Sequence, residues 1–322
     1  MRIANTEASV FAVLDCLQKK SDERHPVSTG EISSQLAEKE LPSNRKTIYK
    51  AIDLLRSYGF QIVYEKRKYY LAHPLSLSQV QLLTAMVQES PALTEEATAK
   101  FTEDLAALLS DHDRKRLIIQ PASTYKTDNP EVLAMVAEIL EAVQKGYGIR
   151  FTYFDMTIDR KRVYRRDGEP YACVPYAVII HNGRCYAIGE TKGSFRNYRI
   201  DRMAALQVIS RPSEKQMFDL HRHLQASFDM YHGEARTVSF TFPVSFTNIF
   251  IEQFGNAESI IVSNASDTLL TVSVRTAVTP TLVGWILQNH EAVHVNSPAS
   301  LQDRLAEIGR TLSDTYQRKG TV

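Results

Sequence analysis

The hydrophobic pattern of the first 73 residues predicts three short helices followed by a hairpin. Apolar residues recur every three or four positions over residues 5 to 20, which is typical of an amphipathic helix. Ser28 and Glu31 form a capping box that starts a second helix, and a third is expected with Ser43 as its N-cap and Gly59 as its stop. The core-facing positions of these helices are predicted to be Ala8, Phe11, Ala12, Leu14, Leu17, Ile32, Leu36, Ala37, Ile48, Ala51, Ile52 and Leu55. Two short strands around the basic tip 65–68 complete the pattern of a winged helix-turn-helix.

Residues 75 to 146 continue with helical periodicity. One helix is expected to begin with Ser78 as its N-cap, a second carries apolar residues near position 105, and a third begins at Asn129-Pro130 and stops at Gly146. The inward positions predicted for the first two helices are Val80, Leu83, Met86 or Val87, Phe101, Leu105 and Leu108. This region is interpreted as a spacer or a dimerisation element.

From Gly148 onward the hydrophobic period changes from helical to alternating. Asn182-Gly183 separates two β-rich runs and predicts a type I′ hairpin, because that turn needs positive φ at both central residues. The strands predicted here cover 149–153, 160–165, 174–181, 184–190, 195–201 and 204–209, which is enough for a small barrel. A polar, helix-like segment from Ser213 to about Met230 is expected to follow it.

The last 88 residues predict a strand, a helix, two strands, a helix, a strand and a final helix, an order that suits an α+β sandwich. The fold class is therefore a multidomain α+β protein. The predicted domains are a winged helix-turn-helix at 1–73, a helical linker at 74–146, a small β-barrel at 147–211, a connector at 212–234 and a C-terminal α+β domain at 235–322.

The composition is that of a globular protein, with 43% hydrophobic and 23% charged residues among 322. No apolar run approaches the length of a membrane span and the first ten residues lack a signal-peptide core, so a cytoplasmic location is expected. The three cysteines have no CxxC spacing, which argues against a disulfide framework or a zinc site.

The net charge of +1 conceals two basic segments separated by an acidic one. Residues 43–70 hold seven Lys/Arg against two Asp/Glu, and residues 145–202 hold twelve against six. Residues 71–144 between them hold five against eleven. This distribution favours two separate contacts with polyanions.

The first basic segment predicts a DNA-reading surface. The N-terminal residues of the third helix would enter the major groove, and the basic tip of the hairpin would touch the DNA backbone. The residues expected to contact DNA are Ser43, Asn44, Arg45, Lys46, Thr47, Tyr49, Lys50, Lys66, Arg67 and Lys68. The alternative reading is a solvated basic helix face.

The second basic segment interleaves aromatic and cationic residues from Pro175 to Arg202. Aromatic faces that stack on bases, next to arginines that pair with phosphates, are typical of nucleotide or single-strand binding. The plainer interpretation is a half-buried sheet with a solvated basic edge. Asp201 lies between Arg199 and Arg202, where we expect it to orient both guanidinium groups by charge-assisted hydrogen bonds.

No catalytic constellation has suitable spacing. The chain lacks GxSxG, a Walker-type loop, HExxH and paired carboxylates in glycine-rich turns. His181 with Cys173 and Cys185 is more simply read as a hairpin-tip histidine and two strand cysteines. We therefore expect a protein that is not an enzyme and has no cofactor.

The order of these domains resembles that of the WYL-domain transcriptional regulators over essentially the whole chain. The most specific matching pieces are Pro175 before a hairpin, Tyr186 at the centre of the naming tripeptide, residues 196–202 with the RIDR motif, and Trp285-Ile286-Leu287 leading to Pro298. The tripeptide here is Cys185-Tyr186-Ala187, so the tyrosine is kept and the flanking tryptophan and leucine are absent.

The resemblance implies an SH3/Sm-like barrel that senses a nucleic-acid or nucleotide effector and alters operator binding by a homodimer, in settings that include phage defence and DNA damage. The effector site is expected at Tyr153, Tyr186, Arg196, Arg199 and Arg202. Two alternatives stay open. One is a non-enzymatic nucleic-acid-binding interaction protein, and the other is a nucleic-acid-processing enzyme.

Overall fold

The structure, a computed structural model, describes residues 2–120, 124–212, 217–225, 227–233, 235–255, 257 and 259–317. The chain forms a mixed α+β protein with several sheets, and it divides into two compact units, Met1–Pro130 and Glu131–Val322. Within the described ranges, none of the helices is both long and apolar enough to cross a bilayer.

The first unit consists of a compact three-helix core, a small sheet and a helical hairpin. Its sheet is antiparallel with the order β1-β3-β2. The elements are α1 (Arg2–Lys20), β1 (Val27–Ser28), α2 (Thr29–Glu38), α3 (Arg45–Ser57), β2 (Ile62–Glu65), β3 (Lys68–Leu71), α4 (Leu77–Glu89), α5 (Glu95–Ala106) and α6 (Asp111–Arg114).

The sequence predicted the first three helices and most of their core. The capping box of Ser28 and Glu31 is formed as expected, and the buried side of α3 is the predicted one. Two of the core predictions are wrong, because Phe11 is 72% exposed and Ala37 is exposed. Val13 and Cys16 are buried on α1 instead, so its inward face is rotated from the predicted one.

Two predicted N-caps are displaced by one or two residues. Asn44, not Ser43, caps α3, because the Asn44 side chain accepts a hydrogen bond from the backbone N–H of Thr47. Ser76, not Ser78, caps α4 and forms a capping box with Gln79. In both cases a neighbouring polar residue offers an equally good acceptor, which sequence alone does not rank.

The burial of the helical hairpin α4–α5 agrees with the prediction at Val80 and differs from it at four other positions. Leu83, Met86, Phe101 and Leu108 are exposed, although they were predicted to face inward. The buried positions are Val80, Thr84 and Gln88 on α4, and Thr98, Thr102 and Ala106 on α5. The two helices therefore pack through small and polar side chains.

The second unit contains a curled sheet, a connector and a C-terminal α+β module. Its elements are α7 (Val132–Lys145), β4 (Tyr147–Met156), β5 (Arg162–Tyr164), β6 (Tyr171–His181), β7 (Arg184–Thr191), β8 (Ser194–Arg199), β9 (Met203–Pro212), α8 (Leu220–Gln225), β10 (Ser227–Phe228), β11 (Tyr231–His232), β12 (Ala235–Pro243), α9 (Thr247–Phe254), β13 (Ile260–Ala265), β14 (Leu269–Ala277), α10 (Pro280–Gln288), β15 (His294–Ser297) and α11 (Ala299–Tyr316).

The first sheet of this unit is a curled half-barrel with the order β5-β4-β6-β7-β8, and β9 also pairs with β4. Register shifts in the β4–β9 and β6–β7 pairs mark bulges, which increase the local twist and curl the sheet. Asn182 and Gly183 have φ of 48° and 70°, as the predicted type I′ turn requires. The strand predicted to reach Asp201 ends at Arg199, and Ile200–Arg202 forms a 3₁₀ turn.

Helix α7, which was predicted to belong to the helical linker, packs on this half-barrel in the second unit. Its residues Val132, Met135, Ile139 and Ala142 share a core with Ile149 and Phe151 of β4. The Asn129-Pro130 start is also wrong, because the N-cap position is Glu131 and it makes no side-chain capping bond. The apolar stripe of α7 covers the hydrophobic side of this sheet, which explains why α7 belongs to the same unit as the half-barrel.

The helix in the connector is shorter than the predicted helix-like segment. Residues 213–216 of the predicted polar segment lie outside the described residues, and α8 covers six residues. The strand pair β10–β11 follows it. The C-terminal module has the predicted element order, with a sheet β13-β14-β12-β15 and a phenylalanine-rich core against which Trp285 packs.

Gly189 of β7 lies against the side chain of Cys173 on β6, and we expect its replacement by alanine to destabilise the half-barrel. An added Cβ would lie 2.5 Å from Sγ and 3.0 Å from Cβ of the buried Cys173. Overpacking of this kind costs about 1 to 3 kcal/mol in the free energy of unfolding, measurable by urea titration of the full chain. Adding Cys173→Ala should recover part of that loss.

The matched control for this substitution is Gly284→Ala in α10 of the same unit. No heavy atom outside its neighbourhood lies within 4 Å of an added Cβ there, so helix propensity should make this variant neutral or slightly more stable. Equal stability of Gly189→Ala and the parent protein would contradict the close approach of β6 and β7.

Candidate functional site

The first candidate surface is the N-terminal part of α3. The Asn44 side chain accepts hydrogen bonds from the backbone N–H of Thr47 at 3.0 Å and from its hydroxyl at 3.1 Å, so the first turn is fixed. Ile48 and Ala51 point into the core, which directs Arg45, Lys46 and Lys50 outward. The start of α3 therefore presents cationic side chains on a rigid base.

The β2–β3 hairpin is attached to the same helix. Arg56 donates from Nε and Nη2 to the carbonyl oxygen of Ile62 at 2.9 and 2.7 Å, which ties the end of α3 to β2. At the tip, Lys66 and Arg67 have φ of 49° and 64°, the pattern of a type I′ turn. Lys66, Arg67 and Lys68 are all exposed, and Lys66 makes a surface ion pair with Glu65 at 3.2 Å.

Most of the ten residues predicted to contact DNA lie on this connected surface. Five of them are exposed at the start of α3, namely Asn44, Arg45, Lys46, Tyr49 and Lys50. Three more are exposed at the tip of the β2–β3 hairpin, namely Lys66, Arg67 and Lys68. Ser43 and Thr47 are half-buried. The Ser43 carbonyl accepts from the Ser33 hydroxyl at 2.7 Å, so this residue has a structural role at the α2–α3 junction.

The second candidate surface is a group of four arginines around two carboxylates at one edge of the half-barrel, hereafter the arginine cluster. Arg199 donates from Nε and Nη2 to the two oxygens of Asp201 at 3.1 and 2.6 Å. Arg184 lies 3.8 Å from the same carboxylate. Asp201 is only 5% exposed, so one buried carboxylate holds two guanidinium groups in place.

Asp155 completes the arginine cluster. It accepts a bidentate contact from Arg165 at 2.7 and 2.9 Å and a hydrogen bond from Arg202 at 3.2 Å. The hydrogen bond from Arg165 holds the pKa of the Asp155 carboxyl below its ordinary value, with the charge of Arg202 acting in the same direction. Four cations against two anions leave an excess of positive charge.

The electrostatics of the arginine cluster show that its positive charges repel each other. Burial lowers the pKa of Arg184, and the positive charge of Arg199 lowers it further. Burial also acts to lower the pKa of Arg199, but the hydrogen bonds and charge of Asp201 outweigh it and raise that pKa. An anion bound beside Arg184 would relieve this repulsion, so the cluster is suited to a phosphate or carboxylate.

Of the five predicted effector residues, the structure brings Arg199, Arg202 and Tyr186 together at this edge. Tyr186 pairs with Arg199 across β7 and β8 and is half-buried. Tyr153 is 7% exposed in the core, and its hydroxyl accepts from the Arg199 backbone N–H at 3.1 Å. Its ring is thus a support for the cluster and not a stacking surface. Arg196 is exposed three positions before Arg199, on the opposite face of β8.

Arg165 and Arg184 belong to the arginine cluster but were not among the predicted effector residues. Arg184 follows the Asn182-Gly183 turn and shares its strand face with Tyr186, a period-two signal that was available in the sequence. Arg165 reaches Asp155 only because β5 folds back on β4. No local pattern indicates that pairing.

Several aromatics of the Pro175–Arg202 stretch serve packing. Tyr176 and Phe195 contact Phe218 of the connector at ring-centroid distances of 5.1 and 4.6 Å. Tyr198 is buried against Phe151. The plainer interpretation of a half-buried sheet therefore holds for these rings, and Tyr186 is the aromatic left at the cluster.

The cysteines give no sign of nucleophilic chemistry. Burial raises the pKa of Cys16 to about 11 and that of Cys173 to about 12, and it also raises the pKa of Cys185. His181 instead contacts Asp229 at 2.8 Å. In the described part of the chain, no group of three or more His, Cys, Asp or Glu side chains is arranged to hold a metal ion.

Among the solved structures that this chain matches, two align over nearly its whole length. Proteasome accessory factor B/C (PafBC) of Arthrobacter aurescens is 19% identical, with 97% of this chain and 49% of that chain covered and a TM-score of 0.29. A CRISPR Cas-related protein is 13% identical, with coverages of 98% and 86% and a TM-score of 0.38. This chain spans about half the length of the PafBC chain. Neither score supports an argument about the overall arrangement.

No curated protein matches the chain in sequence. One protein family does match part of it, over residues 134–208, from α7 to β9. These are the residues that build the half-barrel with its covering helix, and they include the whole sequence between Asp155 and Arg202. The family is the WYL domain, and residues 134–208 of this chain match it.

Proposed function

We propose that this protein is a ligand-responsive transcriptional regulator that does its work by binding and not by catalysis. The observation that carries the proposal is the presence of two separate cationic surfaces, one in each compact unit. One lies on α3 and the β2–β3 hairpin, and the other is the arginine cluster of the WYL domain. Each surface needs its own anionic partner.

The first unit is proposed to be a winged helix-turn-helix that reads an operator. Helix α3 would enter the major groove with Arg45, Lys46 and Tyr49 toward base edges and Lys50 toward a phosphate. The tip residues Lys66 and Arg67, together with Lys68, would lie on the backbone. The hydrogen bonds of Arg56 to Ile62 support this proposal, because they hold the hairpin in a fixed relation to the helix.

The WYL domain is proposed to sense a nucleotide or a short single strand of nucleic acid. Arg184, Arg199 and Arg202 would pair with phosphate oxygens, and the half-buried Tyr186 would stack on a base. The regulator is further proposed to act as a homodimer on a two-fold operator, since paired helix-turn-helix units read two half-sites.

Binding to the DNA upstream of the protein's own gene tests the proposal. A fluorescence-anisotropy titration at 50 and 200 mM salt should show binding that weakens by about 10³-fold or more, because several phosphates are neutralised. Absent or salt-insensitive binding would favour a pure interaction protein. Release of labelled products from the same DNA would instead favour an enzyme.

Two single substitutions should separate base reading from backbone contact. Arg45→Ala is expected to cost about 1 to 3 kcal/mol on the operator and little on unrelated DNA, because a bidentate contact to a base is lost. Lys68→Ala should weaken binding to both DNAs alike and reduce the salt slope by about 1. The same loss on both DNAs for Arg45→Ala would contradict its placement in the groove.

A further inference from the structure

We infer that the exposed apolar face of α4 is the surface through which two copies of this chain associate. This inference rests on the proposed homodimer and names the surface that forms it. The α4 face consists of Leu82, Leu83 and Met86, together with Ile118 from the segment that runs alongside the helix.

The α4 face is a fixed part of the first unit. The Gln81 side chain donates from Nε2 to the Ile118 carbonyl oxygen at 2.7 Å and accepts from the Ile118 N–H at 2.8 Å. Gln88 accepts from the backbone N–H of Gln120 at 3.2 Å, about two turns further along α4. Ile118 is therefore held against α4 on the side of the helix that carries Gln81 and Gln88.

The packing of α4 on α5 leaves this face exposed in the first unit. Thr84 and Thr102 are buried between the helices, and in the described part of the chain their hydroxyl oxygens have no hydrogen-bond partner. Burying an unpaired hydroxyl is unfavourable, whereas burying a leucine or methionine stabilises a fold. A hairpin that buries threonines and exposes its largest apolar residues is expected where a partner covers those residues.

The size of the α4 face fits one side of a protein interface. Leu82, Leu83, Met86 and Ile118 are 63%, 39%, 62% and 62% exposed. Together they present roughly 400 Å² of apolar surface, as large as the main patch of a typical monomer and close to the apolar share of one partner in a standard interface.

The charge pattern favours a second copy as the occupant. Residues 77–88 of α4 include no Asp, Glu, Lys or Arg, whereas α5 carries Glu95, Glu96, Lys100, Glu103 and Asp104. A two-fold axis places a surface against itself, so a charge close to the axis would face a like charge. An uncharged face is self-complementary, but it offers nothing to the phosphates of a nucleic acid or to a charged protein.

Analytical ultracentrifugation of the full chain from 0.5 to 50 µM tests this surface. The unmodified protein should sediment as twice its 36.5 kDa mass. Leu82→Glu with Met86→Glu should raise the dissociation constant at least 100-fold, because four carboxylates would meet at the axis. Leu82→Met with Met86→Leu, which keeps the apolar volume, should remain dimeric.

The control variant is Ile158→Glu with Ile180→Glu, which adds the same charge at isoleucines of the second unit that are 97% and 74% exposed. It should remain dimeric. If circular dichroism shows that the glutamate variant is unfolded, Leu82→Ser with Met86→Ser takes its place, with at least a tenfold weaker dimer expected.

A parent protein that stays monomeric at 50 µM would overturn the inference and show that another molecule or nothing covers the α4 face. A glutamate variant that stays dimeric would overturn it as well. Operator binding is measured on the same samples. A dimer that dissociates on the Leu82/Met86 change but never binds DNA supports the α4 face and refutes the proposed regulator, so the two failures are distinguishable.

Discussion

Replacing Arg199 with alanine is expected to lower the free energy of unfolding of the second unit by about 3 kcal/mol, at the lower end of the cost of breaking a buried ion pair. Asp201 is 5% exposed and takes its two shortest contacts from Arg199. Without them, Asp201 keeps Arg184 at 3.8 Å as its remaining arginine in the cluster. The buried carboxylate would then lose both of its short hydrogen bonds from a cation.

Urea unfolding followed by the fluorescence of Trp285, the single tryptophan, measures this loss in the second unit. Arg196→Ala removes the same kind of side chain from an exposed position of the same strand and should change stability by less than about 0.5 kcal/mol. Combining Arg199→Ala with Asp201→Asn should restore part of the stability, because the buried charge is removed as well. A loss no greater than that of Arg196→Ala would show that the pair does not hold the cluster together.

The second large effect is expected on effector binding. Arg184→Ala with Arg202→Ala should weaken the binding of a short single-stranded oligonucleotide by roughly 10² to 10⁴-fold, since two charge-assisted hydrogen bonds to phosphate are lost. Removing these two arginines leaves each carboxylate of the cluster paired with another arginine. Asp201 keeps Arg199 and Asp155 keeps Arg165.

The measurement is a titration of labelled oligonucleotides and of mononucleotides, followed by operator binding with and without them. Lys192→Ala with Arg196→Ala is the matched control, because it removes two exposed positive charges outside the cluster. Operator affinity itself should be unchanged in both variants, while the response to effector disappears only in the first. If both double variants bound the oligonucleotide equally weakly, the binding would depend on overall positive charge and not on the arginine cluster.

The sequence predicted the elements of the second unit well because its signals are local. The alternating pattern after Gly148, the Asn182-Gly183 turn and the Pro280 helix start all depend on a few adjacent residues. The placement of Arg196 on the other face of β8 from Arg199 could also have been predicted, because residues three apart on a strand point to opposite faces. Tyr153 shares the inward period of Ile149 and Phe151, so its burial could have been predicted by the same rule.

Other features depended on partners distant in the chain. Arg165 meets Asp155 through the β4–β5 pairing, and α7 joins the half-barrel because that sheet needs a cover. The burial of α4 and α5 could not be predicted from periodicity, since the rule that apolar residues face inward assumes that the chain has only itself to pack against. Leu83 and Met86 do not follow that rule, because both side chains are exposed.

The connector has a mechanical consequence for the second unit. The Asn197 amide of β8 donates to the Met230 carbonyl at 2.8 Å, and the Thr281 hydroxyl of α10 donates to the Phe228 carbonyl at 3.0 Å. Asn197 lies two residues from Arg199 on the same strand face. A ligand that shifts β8 by more than the tolerance of a hydrogen bond must therefore either break the Asn197 contact or pull on the start of α10. The β10–β11 pair thus links the half-barrel to the C-terminal module through one hydrogen bond at each end.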